Sequence, residues 1–478
     1  MTRYLLLLLG WTICTSTWGT TKDTLLLDFH QCIDLALQNS IELKAAKTKL
    51  EAAEWRYKAY KACRMPQLSL QSHPLQYNNT FVSRYDYTNN REVYRNQKTL
   101  YSYGILSINQ PVFITGGVLT LESGLNYIRN IGTDNYEQFS STPIKISYSQ
   151  ELFGYNSWKW ATRIEELNRE KEEKQYRYIQ ESTIQKAAYI FFSLLGAQLQ
   201  WKSARADFQT ADTLFRAGKE KEKIRAISGT DIAILEMDLL DSQSRMEEAE
   251  YTLKSRREEL RELIHVEKLI YIHENSAPPP KEVLFSEKDL QEAAQRNYTP
   301  FLEQKLLQTQ AESNLDNLKK KRFFEAQLSV SIGFNQVSNH FSEVYRNLLR
   351  GDLATISLTL PLVDWGRRHA EIKQAEADMH NVQYSIQEAE KEISLKIKDL
   401  LRSIQSHYAS LLRYREAFHL GKKAWKKMLI RYQNGIESAT NLSLIRTKKQ
   451  TAELKYFQAL QSYWDNYYEL KSLTLFKL

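Results

Sequence analysis

The segment from Ile356 to Asp378, ISLTLPLVDWGRRHAEIKQAEAD, changes its hydrophobic period abruptly. Before Pro361 apolar and polar residues alternate, which predicts a strand with one face in polar surroundings. From Arg367 to about Phe418 neither proline nor glycine occurs, and Glu, Lys, Gln, Ala and Leu dominate, which predicts one helix of about fifty residues. Such a helix is longer than an ordinary globular domain is wide, so a chain with this feature is predicted to be elongated.

Composition supports a single elongated unit. The 478 residues include only 9 Pro and 16 Gly, and no flexible linker divides them. The formal net charge is +8, from 65 Lys and Arg against 57 Asp and Glu, with both signs interleaved as on solvated helix faces. Since no basic run, stacking platform or zinc-ligand spacing accompanies the charge, a nucleic-acid partner is not predicted.

The N-terminus has the pattern of a signal peptide, predicted here as residues 1–19. Arg3 precedes the apolar run Leu5 to Leu9, and small residues follow at Thr17 and Gly19. A membrane anchor would need about twenty apolar residues, and hydroxyl residues interrupt the run too early. Lipidation at Cys14 is an alternative route. The chain is therefore predicted to be exported.

The mature chain keeps two cysteines, Cys32 and Cys63. If Asp28 to Lys61 forms one straight helix that extends a little further, the two cysteines lie about 45 Å apart. They could not then pair, so no disulfide is predicted to hold the fold together.

An internal duplication is predicted from four similarities in the same order. The first two pairs lie about 260 residues apart and the last two about 210 to 217. The paired segments begin at Leu35 and Ala293, at Gln67 and Gln327, and at Glu151 and Pro361, and the last pair ends at Gly218 and Gly435. The order of helix, strands, long helix, glycine break and helix predicts two repeats, residues 20–270 and 271–478.

The separation between matching segments falls from about 260 to about 210 residues along the chain. This predicts about fifty extra residues in the first repeat, between its first strand and its long helix. Those residues contain three further alternating segments, which begin at Tyr103, Val118 and Ile144. The first repeat is therefore predicted to have up to four strands and the second to have two.

The predicted strands need a partner for their apolar faces. One interpretation is a sheet packed on the helices. The other is lipid, where the backbone must satisfy its own hydrogen bonds and strands occur as closed barrels, commonly of eight strands or more. This predicts an α+β fold in which protomers share one β-barrel and their long helices continue as a coiled-coil tunnel. The predicted lipid-facing residues are Leu328, Val330, Ile332, Ile356, Leu358 and Leu360.

The sequence resembles the TolC-like outer-membrane efflux proteins over nearly the whole mature chain. The resemblance rests on the ordered set of Leu27 to Leu70, Ile356 to Ala377 and Arg431 to Leu473. It implies a homotrimer with a shared twelve-stranded barrel in the outer membrane and a helical tunnel in the periplasm. It also implies a periplasmic adaptor protein and an inner-membrane pump as partners in efflux or type I secretion. The alternative is an exported coiled-coil scaffold or adhesin without a pore.

The resemblance assigns Pro361, Trp365 and Gly366 to the junction between barrel and tunnel. Trp365, like Trp158 and Trp160 of the first repeat, is expected either at the membrane interface or in packing between helices. The extra strand pair departs from the family pattern. It either enlarges the barrel or projects outside it.

The resemblance also implies a periplasmic entrance near Tyr432 and Gly435. The acidic positions that follow in the family are Asn441 and Leu444 here, so this repeat supplies no acidic ring. In the first repeat Asp231 resembles the acidic position, and three protomers would form a carboxylate ring that favours cations. The alternative role of Asp231 is that of a helix-start residue after Gly229 and Thr230.

Enzymatic activity is not predicted. The nine histidines are scattered, and the sequence has no His-Glu-x-x-His pattern, no phosphate-binding glycine loop and no cysteine-histidine cluster. Neither a cofactor nor a metal ion is therefore expected.

Overall fold

The computed structural model describes residues 24–131, 135–273, 277–282 and 285–475. The predicted signal peptide, with Cys14 and Gly19, lies outside the described residues. No helix in these ranges is both long and apolar enough to cross a membrane.

Two series of elements follow one another in the described chain. The first series is β1 (Thr24–Leu27), α1 (Phe29–Asn39), α2 (Ile41–Cys63), β2 (Gln67–Asp86), β3 (Arg91–Val112), β4 (Gly117–Ile131), β5 (Tyr136–Leu152), α3 (Ser157–Lys223) and α4 (Gly229–Ile264). The second is β6 (Leu269–Ile272), α5 (Glu287–Asn297), α6 (Thr299–Lys320), β7 (Glu325–Ser338), β8 (Leu349–Thr359), α7 (Arg367–Gln433) and α8 (Ala439–Thr474).

The two series confirm the internal duplication. Helices α3 and α7 each have 67 residues, and α4 and α8 each have 36. Among the described residues, four long strands precede α3 and two precede α7, as the alternating segments predicted. The boundary predicted between residues 270 and 271 falls within β6, and the repeat limits remain a prediction.

Asp28 to Lys61 does not form the one straight helix on which the cysteine separation was based. The backbone leaves the helical conformation at Ser40, with φ −56° and ψ 117°, and the Ser40 hydroxyl accepts a hydrogen bond from the Leu43 N–H at 3.2 Å. This bond satisfies one of the free donors at the start of α2. The assumption behind the cysteine separation therefore fails, but Cys32 and Cys63 are both free thiols.

The chain divides into two compact units, and both repeats contribute to each. The described residues of the helical unit are 24–44, 179–273, 277–282, 285–290 and 397–475. Those of the sheet unit are 45–131, 135–178 and 291–396.

The sheet unit contains one six-stranded sheet in the order β2-β3-β4-β5-β7-β8, with every neighbouring pair antiparallel. The extra strands of the first repeat are therefore hydrogen-bonded members of the same sheet. The β2–β3 hairpin is the longest part of it. Its pairing continues to Asp86 and Arg91, whereas β3–β4 pairing ends at Lys98 and Ile131.

The helical unit is held by an aromatic core. Phe192 stacks on Trp464 with ring centroids 5.5 Å apart, and Phe29 contacts both rings. The Tyr463 hydroxyl, which is fully buried, donates to the Lys281 carbonyl at 2.5 Å, and burial raises the pKa of this phenol to about 12. Buried tyrosines need such a partner, since an unpaired hydroxyl would lose its hydration without replacement.

Candidate functional site

The sheet separates apolar from polar side chains. Because residues paired across neighbouring strands point to the same face, the register of all six strands defines one apolar face. That face carries Leu68, Leu70, Leu106, Ile108, Leu119, Leu121, Ile144, Ile146, Leu328, Val330, Ile332, Ile356 and Leu358. Near the start of β8 it also carries Arg350 and Asp352, which are paired with Phe334 and Ile332. Ile332 is 48% exposed, Ile356 70% and Leu358 57%, so the described residues of one chain do not cover the face. A contiguous exposed apolar surface of this extent marks a contact with lipid or protein.

The opposite face of the sheet is polar. Its cross-strand contacts include the Ser69 and Ser107 hydroxyls, 2.8 Å apart, and the ion pair between Lys145 and Glu122 at 3.2 Å. This is the arrangement of a membrane barrel, in which lipid-facing and lumen-facing residues alternate along each strand. Of the six residues predicted to face lipid, Leu360 lies one residue beyond the end of β8, and the other five lie in β7 and β8.

The connection from β8 to α7 is a tight turn. Trp365 and Gly366 both have positive φ angles, 54° and 84°. The Asp364 carboxylate accepts hydrogen bonds from the N–H groups of Gly366 and Arg368 at 3.0 and 3.2 Å. These bonds hold the pKa of the Asp364 carboxyl below its usual value and cap the first turn of α7. Asp364 was missed in the sequence, because it lies two residues before the N-cap position at Gly366 and the usual cap signal is the N-cap residue itself.

The three tryptophans near this turn differ in their surroundings. Trp158 packs edge-on against Phe113, and the Trp160 indole donates to Asp316 at 2.9 Å, so both lie in contacts within the sheet unit. Trp365 is 96% exposed. Further exposed apolar residues flank the strand ends at the helix side of the sheet and were not singled out from the sequence. These are Met65, Ile114, Phe153, Phe323, Leu362 and Val363.

The other predicted site lies in the helical unit, where α3 turns into α4 and α7 turns into α8. A buried cluster of Leu214, Leu235, Ala439 and Leu442 joins these four helix ends, and Tyr432 packs against it. The structure thus brings the predicted entrance residues of both repeats to one end of the helical unit.

The match of Gly218 with Gly435 was wrong. Helix α3 continues through Gly218 to Lys223, and a Cβ at Gly218 would lie 2.8 Å from Leu235 Cδ1, so this glycine permits close packing. The residue equivalent to Gly435 is Arg225. Both have left-handed φ angles, 75° and 55°, and both lie in the same hydrogen-bonded turn. Asp231 therefore follows Arg225 at the same spacing as Asn441 follows Gly435.

Asp231 and Asn441 occupy equivalent helix-start positions. Ser228 caps α4 and accepts from the Asp231 N–H at 3.1 Å, and Ser438 caps α8 and accepts from the Asn441 N–H at 3.3 Å. The Ser228 hydroxyl also donates to the Asp231 carboxylate at 2.8 Å. Burial raises the pKa of the Tyr432 phenol, and the negative charge of Asp231 raises it further. The side chains of Tyr432 and Asp231 are therefore close enough to interact electrostatically.

A second acidic residue at this end was missed in the sequence. Glu437 pairs with Arg431 at 2.9 Å and accepts from the Asn441 amide at 3.0 Å. Glu437 comes directly before the Ser438 cap, where a carboxylate is favoured by the helix dipole. The second repeat therefore does place a carboxylate at this end of the helical unit, although its charge is paired.

Gly435→Ala is expected to destabilise the protein by about 1–2 kcal/mol, because a left-handed backbone is costly for any residue with a Cβ. Arg225→Gly is expected to stabilise it by about 1 kcal/mol for the same reason. The measurement is the midpoint of guanidinium-induced unfolding, monitored by far-ultraviolet circular dichroism. Gly229→Ala is the control, since Gly229 has an ordinary φ and open space around it. Equal losses at Gly229 and Gly435 would contradict the backbone explanation.

Charged residues are buried further along the same helices. Lys449 and Asp207 form an ion pair at 2.9 Å, and the Gln450 amide donates to the other Asp207 oxygen at 2.9 Å. Ser203 donates to Glu453 at 2.8 Å, and Arg446 pairs with Asp238. A cavity of about 350 Å³ lies between α3, α4 and α8 beside Asp207 and Glu453. Within the described ranges, no group of His, Cys, Asp or Glu side chains is arranged to hold a metal ion.

The sequence matches the family model described as outer membrane efflux protein over residues 32–264 and 289–474. The chain therefore belongs to the outer membrane efflux protein family. No curated protein matches the sequence.

Solved structures show the same fold. A membrane protein from Pseudomonas aeruginosa aligns with a TM-score of 0.65 and 15% identity over 93% of both chains. The Campylobacter jejuni CmeC outer membrane channel aligns with a TM-score of 0.64 and 15% identity, over 93% of this chain and 85% of that one. The open state of the Neisseria gonorrhoeae MtrE outer membrane channel aligns with a TM-score of 0.61 and 14% identity, over 94% of this chain and 88% of that one.

Family and fold together make this protein an outer membrane efflux protein with the fold of the solved channels. The predicted α+β fold class with an internal duplication is confirmed.

Proposed function

We propose that the protein is the passive exit duct of a tripartite efflux or type I secretion system. Three copies form a homotrimer whose strands lie in outer-membrane lipid and whose helices line a tunnel. A periplasmic adaptor protein and an inner-membrane pump supply cargo and energy, so the duct needs no catalytic residue and no cofactor. The observation that carries this proposal is a sheet with one exposed apolar face, followed in each repeat by a helix of 67 residues.

The exposed residues at the strand ends support an assignment to the membrane boundary. Trp365, with Leu362 and Val363, is exposed where β8 gives way to α7. Aromatic and apolar side chains at this level are favoured at the edge of the hydrocarbon region. In this proposal Pro361, Trp365 and Gly366 mark the periplasmic limit of the barrel.

The periplasmic entrance is assigned to the end of the helical unit that contains Asp231, Tyr432, Gly435 and Asn441. Asp231 is half-buried in one chain, and three copies around a symmetry axis would form an anionic ring. Its bond to Ser228 supports the helix-start role as well, and one side chain can serve both purposes.

Single-channel recording tests the duct and the ring together. The detergent-extracted trimer is expected to conduct in a planar bilayer with a preference for cations, and Asp231→Asn is expected to reduce that preference because it removes three charges. Asp241→Asn is the control, since this exposed residue lies further along α4 and pairs with Arg245.

The outcomes separate the hypotheses. A conducting trimer whose ion preference is the same with Asp231→Asn would retain the duct and contradict the ring. A non-conducting oligomer that stays in the aqueous fraction would favour the coiled-coil scaffold or adhesin.

A further inference from the structure

The six-stranded sheet ends in two strands with one free edge each, β2 and β8. Free edges in soluble proteins are short or are protected by lysine, proline or bulges, because an open edge pairs with other chains. Residues 67–82 of β2 contain no Asp, Glu, Lys or Arg, and Pro74 lies in the single irregularity, between His73 and Gln76. Only Arg350 and Asp352 are charged in β8. Both edges are long and nearly uncharged, which suits a strand partner.

The direction of the two edges specifies a second copy of this chain as the partner. Since every neighbouring pair is antiparallel and the sheet has six strands, β2 and β8 run in opposite directions. If the β8 strand of one copy met the β2 strand of the next, the two would therefore run antiparallel. Their faces also match, because Leu68 and Leu70 lie on the same apolar face as Ile356 and Leu358.

The extra strands of the first repeat lie inside this sheet. Strands β3 and β4 pair without interruption from Lys98 and Ile131 to Val112 and Gly117. Strand β4 then pairs with β5, and β5 with β7. Neither extra strand is an appendage, since removal of either would break the hydrogen-bonded connection across the sheet.

We propose that β8 of each protomer pairs with β2 of the next and that three protomers close an eighteen-stranded barrel. This rests on the proposed function, a trimer in the outer membrane. It departs from the twelve-stranded barrel that the family resemblance implies. With strands about 4.8 Å apart and tilted by about 40°, eighteen strands give a barrel about 36 Å across, and twelve give about 24 Å.

A wider barrel changes what limits passage. The diameter of a barrel grows roughly linearly with strand number, and its cross-sectional area grows with the square of the diameter. The area of an eighteen-stranded barrel would therefore be about twice that of a twelve-stranded one. The polar face, with Ser69, Ser107 and the Lys145–Glu122 pair, would then line an open water-filled lumen. Selection of cargo would fall to the helical part of the duct.

Electron microscopy of the trimer in lipid nanodiscs measures the barrel directly. The expected result is a membrane-embedded ring about 36 Å in diameter. A ring of about 24 Å would overturn the proposal, because it leaves room for only four strands from each protomer. A particle without any membrane-embedded ring would instead overturn the proposed function.

Disulfide crosslinking identifies which strands meet between protomers. In a Cys63→Ser background, Thr355→Cys on β8 is combined in turn with Ser69→Cys, Gln71→Cys, Asn78→Cys and Thr80→Cys along β2. Because a disulfide needs Cβ atoms within about 4.5 Å, one register is expected to give covalent dimers and trimers. The matched control combines Thr355→Cys with Thr120→Cys on β4. Crosslinking through β4, or none at any β2 position in an intact trimer, would overturn the proposal.

Discussion

Val330→Arg is expected to destabilise the membrane-assembled protein by about 2–4 kcal/mol, because it places a charge on the lipid face near mid-bilayer. Val330 lies five residues into β7. At about 3.3 Å per residue and a tilt of about 40°, this is about 13 Å into an apolar band about 25 Å tall. The measurement is the urea midpoint of the protein in lipid vesicles, together with the amount of trimer in the outer-membrane fraction.

Two control substitutions make this prediction specific to lipid. Ser331→Arg changes the next residue, which faces the polar side, and is expected to have little effect on stability. Leu358→Arg lies on the apolar face near the end of β8 and is expected to cost only about 0–1 kcal/mol. Equal losses of stability at Val330 and Ser331 would contradict the lipid assignment, because the cost would then not depend on which face of β7 carries the charge.

Asp207→Ala is expected to cost about 3 kcal/mol or more, because it leaves the buried Lys449 ammonium without its ion-pair partner. The side chains of both residues are less than a tenth exposed. Glu453, which accepts a hydrogen bond from Ser203, also interacts with Lys449 and keeps the loss at the lower end of the usual range. The measurement is the guanidinium midpoint of the purified trimer.

A double substitution distinguishes an unpaired charge from lost packing. Asp207→Leu with Lys449→Met removes both charges and is expected to restore part of the stability, since an apolar pair can replace a buried ion pair. Recovery is incomplete because Gln450 and Glu453 each lose a partner. Glu220→Ala is the control, because its ion pair with Lys223 is exposed and contributes little. A double variant as unstable as Asp207→Ala would show that the loss comes from packing.

The secondary-structure elements of this protein and their order could largely be predicted from the sequence. The strand-to-helix change at Gly366 and the four-plus-two strand count rest on local periodicity, which is visible without any tertiary contact. The limits of the long helices were less accurate. Helix α7 was expected to end near Phe418, but it continues through Gly421 to Gln433.

The glycines explain that difference. A Cβ at Gly421 would lie 3.2 Å from the Lys449 Cα, so this glycine allows two helices to approach closely. Gly218 does the same against Leu235. A glycine that ends a helix and one that packs against another helix look alike in sequence, because the difference depends on residues far along the chain.

The sequence by itself determined the duplication, the strand count, the apolar strand face and the long helices, because each depends on the period of neighbouring residues. Only the tertiary structure showed that Arg225 is the residue equivalent to Gly435 and that Tyr432 lies close to Asp231. It alone showed that the extra strands are joined into one sheet by the pairing of β3 with β4 and of β5 with β7. Register and helix contacts link residues far apart in the chain, and their energies depend on partners that local periodicity does not identify.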